Sequence, residues 1–91
     1  MGTTVARRIT VTGRVQGVFF RATVRDAARQ AGAAGWAENR PDGSVEIHVE
    51  GSRAAVDAVE VAARRGPRGA SVMGVDVRDA EVEGLEGFAS R

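Results

Sequence analysis

Twice along this 91-residue chain the apolar pattern switches from a period of two to the period of a helix, and each switch falls at glycine. Arg8-Ile9-Thr10-Val11-Thr12 alternates like a half-buried strand; beyond Gly13 and Gly17, Phe20, Val24, Ala27, Ala28 and Ala31 recur at helical spacing. Ser44-Val45-Glu46-Ile47-His48-Val49-Glu50 then alternates, and beyond Gly51 Val56, Val59 and Ala63 repeat the helical spacing. Two amphipathic helices interleaved with one-sided strands can bury their apolar stripes only by lying against a sheet.

The remaining elements follow from punctuation. Strand 1 spans about Arg7 to Val15, with Ile9, Val11 and Val15 facing the core. The first helix should run from Phe20 to Ala31 and stop at Gly32. The segment from Ala33 to Asn39 is bounded by turn signals and too short for a helix, so it reads as a second strand. Arg40-Pro41-Asp42-Gly43 turns it into a hairpin with the third. Ser52 is placed to cap a second helix over Arg53–Arg65, with Glu60 and Arg64 an i,i+4 pair on its outer side, and Gly66-Pro67 ends it. In the strand from Ala70 to Val77 the apolar parity changes between Val72 and Val75, which predicts a β-bulge near Met73-Gly74. The acidic run Glu81 to Glu86 reads as a loop and Phe88 as an anchor tucked back onto the sheet. The expected fold class is α+β: a ferredoxin-like βαββαβ sandwich, an antiparallel sheet with both helices on one face. Its open face should show Thr10, Thr12, Glu46, His48 and Glu50, with His48 at the surface and no aromatic for stacking bases. Trp36, the only tryptophan, is expected to pack.

Length and composition narrow the functions. Ninety-one residues suit a single domain, 1–91, with one core. With no cysteine there is neither disulfide nor thiolate chemistry, and one histidine leaves no zinc set. With no lysine there is no Walker-type nucleotide loop. Met1 to Arg8 lacks an apolar leader, Ala6 stands where a myristoylation signal at Gly2 would want Ser or Thr, and no segment is long enough to cross a bilayer, so the expected location is cytoplasmic. A net charge of +1 argues against a nucleic-acid partner. Residues 1–40 nevertheless carry seven arginines against Asp26 and Glu38, a balance of +5, while residues 41–91 carry six against ten acids, a balance of −4.

The positive half contains Gly13-Arg14-Val15-Gln16-Gly17-Val18-Phe19-Phe20-Arg21, a strand-to-helix loop. Glycines there permit unusual backbone angles, and the helix start presents unpaired N–H groups with partial positive charge. Arg21, in the helix's first turn, adds a fork matched to two oxygens of an anion. Taken alone, such a loop is more often a plain turn; a site requires a second motif.

That second motif is the hairpin. VQGVFFR (15–21), Gly35-Trp36-Ala37-Glu38-Asn39 and Asp42-Gly43-Ser44-Val45-Glu46 together resemble the acylphosphatase family. Gly51, Gly66-Pro67 and Gly87-Phe88 extend the match over nearly the whole chain. The resemblance implies a hydrolase, free of metal and cofactor, that splits acyl phosphates to carboxylate and inorganic phosphate. Under it, Arg21 binds the phosphoryl group, the backbone amides of Val15, Gln16, Gly17, Val18, Phe19 and Phe20 cradle it, and Asn39 orients the attacking water. Gln16 is expected to contribute its backbone more than its side chain, and Arg25 and Arg29 to be solvated. The expected partners are a small acyl phosphate and inorganic phosphate as product and inhibitor, with no nucleic acid and no membrane, and the chain a monomer. The alternative is a non-catalytic anion or small-molecule sensor of the same fold. The chain departs from the family at Ala33 or Ala34 and at Ala37, where leucine and valine are usual; these are core positions and bear on stability.

Overall fold

A computed structural model describes residues 3–91; the reading of Gly2 as a non-myristoylated terminus lies outside the described residues. The elements are β1 (Val5–Arg14), α1 (Phe20–Ala31), β2 (Ala34–Asn39), β3 (Val45–Gly51), α2 (Arg53–Arg65), β4 (Ser71–Ala80) and β5 (Phe88–Ser90). The sheet order is β4-β1-β3-β2-β5. The first four strands pair antiparallel, as the sequence pattern implies, while β5 runs parallel to β2 and makes the sheet mixed. Phe88 is the buried anchor expected, and the strand it starts is the addition.

Both helices pack on one face. Ile9, Val11, Val45, Ile47 and Val49 meet Phe20, Val24 and Ala28 of α1 and Val56, Val59 and Ala63 of α2 in one continuous core. The helix ends obey local chemistry. Ser52 Oγ accepts the Ala55 amide at 3.1 Å, and α1 closes in a Schellman pattern, the Ala33 amide donating to Ala28 O at 2.8 Å and the Gly32 amide to Arg29 O at 3.3 Å. The weak strand-forming tendency of β2 has its explanation at Gly35, where the His48 carbonyl lies 1.8 Å from where a Cβ would stand. On β4 the register slips opposite Thr12/Gly13, leaving Met73 as the extra, exposed residue while Val72 and Val75 both pack on the core. The bulge is where the parity change puts it.

The open face differs from expectation. His48 is fully buried, and Glu46 and Glu50 nearly so. Two features of the chain cover them. Trp36 lies opposite His48 and stacks on its ring at 5.9 Å, with the guanidinium groups of Arg8 and Arg91 over the indole at 5.0 and 4.4 Å. The face therefore holds an aromatic after all, but one already covered. At the far end, the chain between β4 and β5 crosses the row Ala80, Ala6, Glu50 and Ala34, whose alanines leave room for it. Glu50 receives that crossing chain, accepting the Glu83 amide at 2.9 Å and the Leu85 amide at 2.7 Å.

Candidate active site

The loop between β1 and α1 turns twice through left-handed backbone, at Gly17 (φ 74°) and at Phe19 (φ 62°, ψ 25°). Glycine adopts this region freely; a bulky aromatic does not. Phe19 is the residue before the helix, has no side-chain cap bond, and is 83% exposed, so packing does not repay its conformation. Its neighbour Phe20 does the opposite, burying its ring in the core and clamping the start of α1. Alternation of left- and right-handed residues turns successive amides toward a common point, an arrangement that binds anions. Among the described residues no protein acceptor meets the amides of Gln16, Gly17, Val18 or Phe19. The first-turn amides of α1 and its dipole add to the same positive field.

A cavity of about 270 Å³ opens at this loop, lined by Val15, Gly17, Phe19, Phe20, Arg21, Ala22, Asn39 and Ser90. It thus joins Arg21 from the first turn of α1 to Asn39 from the last residue of β2. Asn39 is exposed, and its side chain has no hydrogen-bond partner among the described residues. Arg21 is half-buried and donates from Nη1 to the Arg91 carbonyl oxygen, which holds the guanidinium at the rim.

Two residues assigned to the cradle do not line the cavity. Val18 packs against the edge of the core. Gln16 sends its side chain to the hairpin: Nε2 donates to Arg40 O at 2.8 Å and to Ser44 O at 2.9 Å. Those two bonds give the side chain a part in holding the hairpin, beside the larger backbone part expected of this residue. Arg29 is exposed as expected, and its guanidinium also donates to Phe88 O at 3.1 Å and ties β5 to α1; Arg25 is half-buried and pairs with its neighbour Asp26. Ser90 and Ala22 are the lining residues that the sequence did not single out. Ser90 reaches the cavity because β5 lies alongside β2, and a three-residue strand leaves almost no periodic trace.

Beside the cavity the hairpin is tightly held. Asp42 Oδ1 accepts the Ser44 hydroxyl at 2.6 Å and the Ser44 amide at 3.0 Å, which holds the Asp42 carboxyl below its usual range. Arg40 spans the facing carboxylates Glu46, at 2.6 Å, and Glu38, at 3.2 Å. Burial pushes the Glu46 carboxyl up, but the hydrogen bonds from Arg40 and Arg8 outweigh it and hold the group below the ordinary value.

Comparison with known proteins agrees along the whole chain. The family model described as acylphosphatase matches residues 7–90. An acylphosphatase from a Nocardioides species is 51% identical over 83 residues, covering 91% of this chain and 84% of the relative. One from Haloquadratum walsbyi is 48% identical over 81 residues, covering 89% and 87%. The crystal structure of acylphosphatase from Bacillus subtilis is similar with a TM-score of 0.92 at 38% identity, over 96% of this chain and 98% of that one.

Proposed function

This chain belongs to the acylphosphatase family, hydrolases of acyl phosphates, and we propose that it performs the reaction with one guanidinium, a cradle of amides and one water-orienting carboxamide. The phosphoryl group sits over the cradle of amides from Val15 to Phe20, of which those of Gln16 to Phe19 are open among the described residues, with the Arg21 fork on two of its oxygens. Asn39 holds a water opposite the bridging oxygen. The water oxygen forms a bond to phosphorus, the bond from phosphorus to the bridging oxygen breaks, and the acyl group leaves as a carboxylate with the electron pair.

No general acid is needed, because the leaving carboxylate is the base of an acid with a pKa of about 4. Asn39 has no basicity at neutral pH, so the water's proton goes to a phosphoryl oxygen. What the protein supplies is alignment and charge stabilisation, the two things phosphoryl transfer demands.

The observation that supports this most directly is the single cavity joining unpaired amides, Arg21 and an unpartnered Asn39. A free carboxamide across from the cradle is placed to orient a water, which anion binding alone does not require. The 91 residues act in this reading as one domain around one core, and as a monomer. No helix among the described residues is long and apolar enough to cross a membrane, and a cysteine-free chain needs no oxidising compartment, which accords with a cytoplasmic place. Trp36, sealed by Arg8, Arg91 and His48, leaves no open ring on the sheet face for stacked bases.

The test is phosphate release from acetyl phosphate and benzoyl phosphate with EDTA present. Turnover that survives EDTA, is inhibited competitively by inorganic phosphate, and disappears in Arg21→Ala is the expected result. Phosphate binding without turnover in the native chain would leave only the sensor.

A further inference from the structure

The side chain of Gln16 is left over by the mechanism just given, and its geometry is specific. Both hydrogens of its amide nitrogen are used, one on Arg40 O at 2.8 Å and one on Ser44 O at 2.9 Å. Two carbonyl acceptors can be met only by the nitrogen, so the orientation of the carboxamide is fixed by its partners. Those partners are the two ends of the hairpin turn, already joined by the Arg40 amide donating to Ser44 O at 2.8 Å. The turn is stiffened from within by Asp42 and Ser44. Among the described residues no other side-chain hydrogen bond links the stretch from Val15 to Phe19 with the stretch from Asn39 to Val45.

Gln16 stands inside the anion loop, and Arg40 is covalently next to Asn39. Asn39 ends β2, where strand pairing stops and nothing else among the described residues grips its side chain. We propose that the Gln16 carboxamide is a positioning residue that sets the distance between the phosphoryl cradle and the water held by Asn39. The proposal rests on the reading of the site given above and adds to it a side chain that touches neither substrate nor water, on a residue whose backbone amide belongs to the cradle. In-line attack is sensitive to such a distance: misplacement by about 1 Å can cost on the order of 10²-fold in rate. The clasp acts on that alignment and leaves the amides and Arg21, which bind the phosphate, where they are.

Gln16→Met keeps length and neutrality and removes both donors. It should lower kcat about ten-fold or more, while KM and the inhibition constant for inorganic phosphate stay near the native values. Introduced into Asn39→Ala, itself expected to have kcat lowered roughly 10²-fold, it should lower kcat no further, because the residue it positions is gone. Thermal unfolding of each variant checks that the fold persists. An equal loss in both backgrounds, an unchanged kcat in Gln16→Met, or weakened phosphate inhibition without a kcat effect would each overturn the proposal. Native kcat in Asn39→Ala would instead refute the role of Asn39, seen before Gln16 is altered, and would take this inference with it.

Discussion

The two ends of β1 treat backbone amides in opposite ways. Near its start, the chain crossing from β4 to β5 offers the amides of Glu83 and Leu85, and the buried Glu50 carboxylate accepts both. Past its end, the amides of Gln16 to Phe19 point to no protein acceptor among the described residues, around a strained Phe19. At the first end polar groups are closed into a relay. Arg8 only donates, so His48 Nδ1 must accept from it at 3.3 Å, and the ring proton on Nε2 donates to Glu50 at 2.9 Å. Among the described residues no buried side-chain polar atom lacks a partner. One end spends its hydrogen bonds on holding the fold; the other withholds them for a ligand.

The contrast breaks if either end does the other's work. Arg21→Ala should reduce kcat/KM by about 10³-fold or more, the range of a transition-state guanidinium. Its melting temperature should scarcely move, since Arg21 is half-buried and gives the fold only one bond, to the Arg91 carbonyl. A large fall in stability alongside the lost activity would make Arg21 a strut of the fold.

Glu50→Ala should do the reverse. It takes the acceptor from two part-buried amides and strands the fully buried His48 ring proton, at a cost of about 2–4 kcal/mol. Urea unfolding measures that loss, and kcat on the surviving folded enzyme should stay near native. Activity that falls in step with Glu50 removal would tie the two ends together.

Much of this was legible beforehand. Val72 and Val75 disclosed the bulge because a strand buried on one face cannot change parity without an extra residue. The loop and Asn39 could be named because backbone geometry and a motif spacing are local. His48 was misjudged for a non-local reason: alternation says which face a residue takes, not whether another segment covers that face. The cover here is an acidic loop whose apolar residues, Val82 and Leu85, show no helix or strand period, recruited by its amides to Glu50, and a tryptophan whose side of the sheet β2 does not declare. The Gln16 clasp was illegible for the same reason, since its acceptors lie 24 and 28 residues away.

Acid sharpens the comparison at the closed end. Burial pushes the Glu50 carboxyl up, but the Glu83 amide, His48 and the Leu85 amide together bring it below the ordinary value; Glu46 is lowered by Arg40 and Arg8. A carboxyl depressed by folding stabilises fully above its unfolded pKa, about 4.3 for Glu, and that stabilisation is lost as pH falls through the folded value. For these carboxyls the loss of melting temperature should set in as pH falls below roughly 4.3, where the unfolded carboxyls take up protons first. Glu50→Gln should start lower and fall less. An equally steep fall in that variant would place the acid sensitivity elsewhere.

The smallest effect belongs to the open end. Phe19 stands in left-handed backbone with 83% of its surface exposed, so its ring contributes little packing against the strain. Left-handed backbone costs a side-chain-bearing residue about 1–2 kcal/mol, and glycine recovers it at the expense of a more flexible unfolded chain. Phe19→Gly should therefore be as stable as the native protein or more so, by up to about 1 kcal/mol in urea unfolding. The same freedom unfixes the amides on either side, so KM and the inhibition constant for phosphate should rise although no contact to the phosphoryl group has been deleted. A variant that is less stable would mean that the exposed ring holds the loop. One that is more stable with unchanged phosphate affinity would mean that the cradle needs no strain to keep its shape.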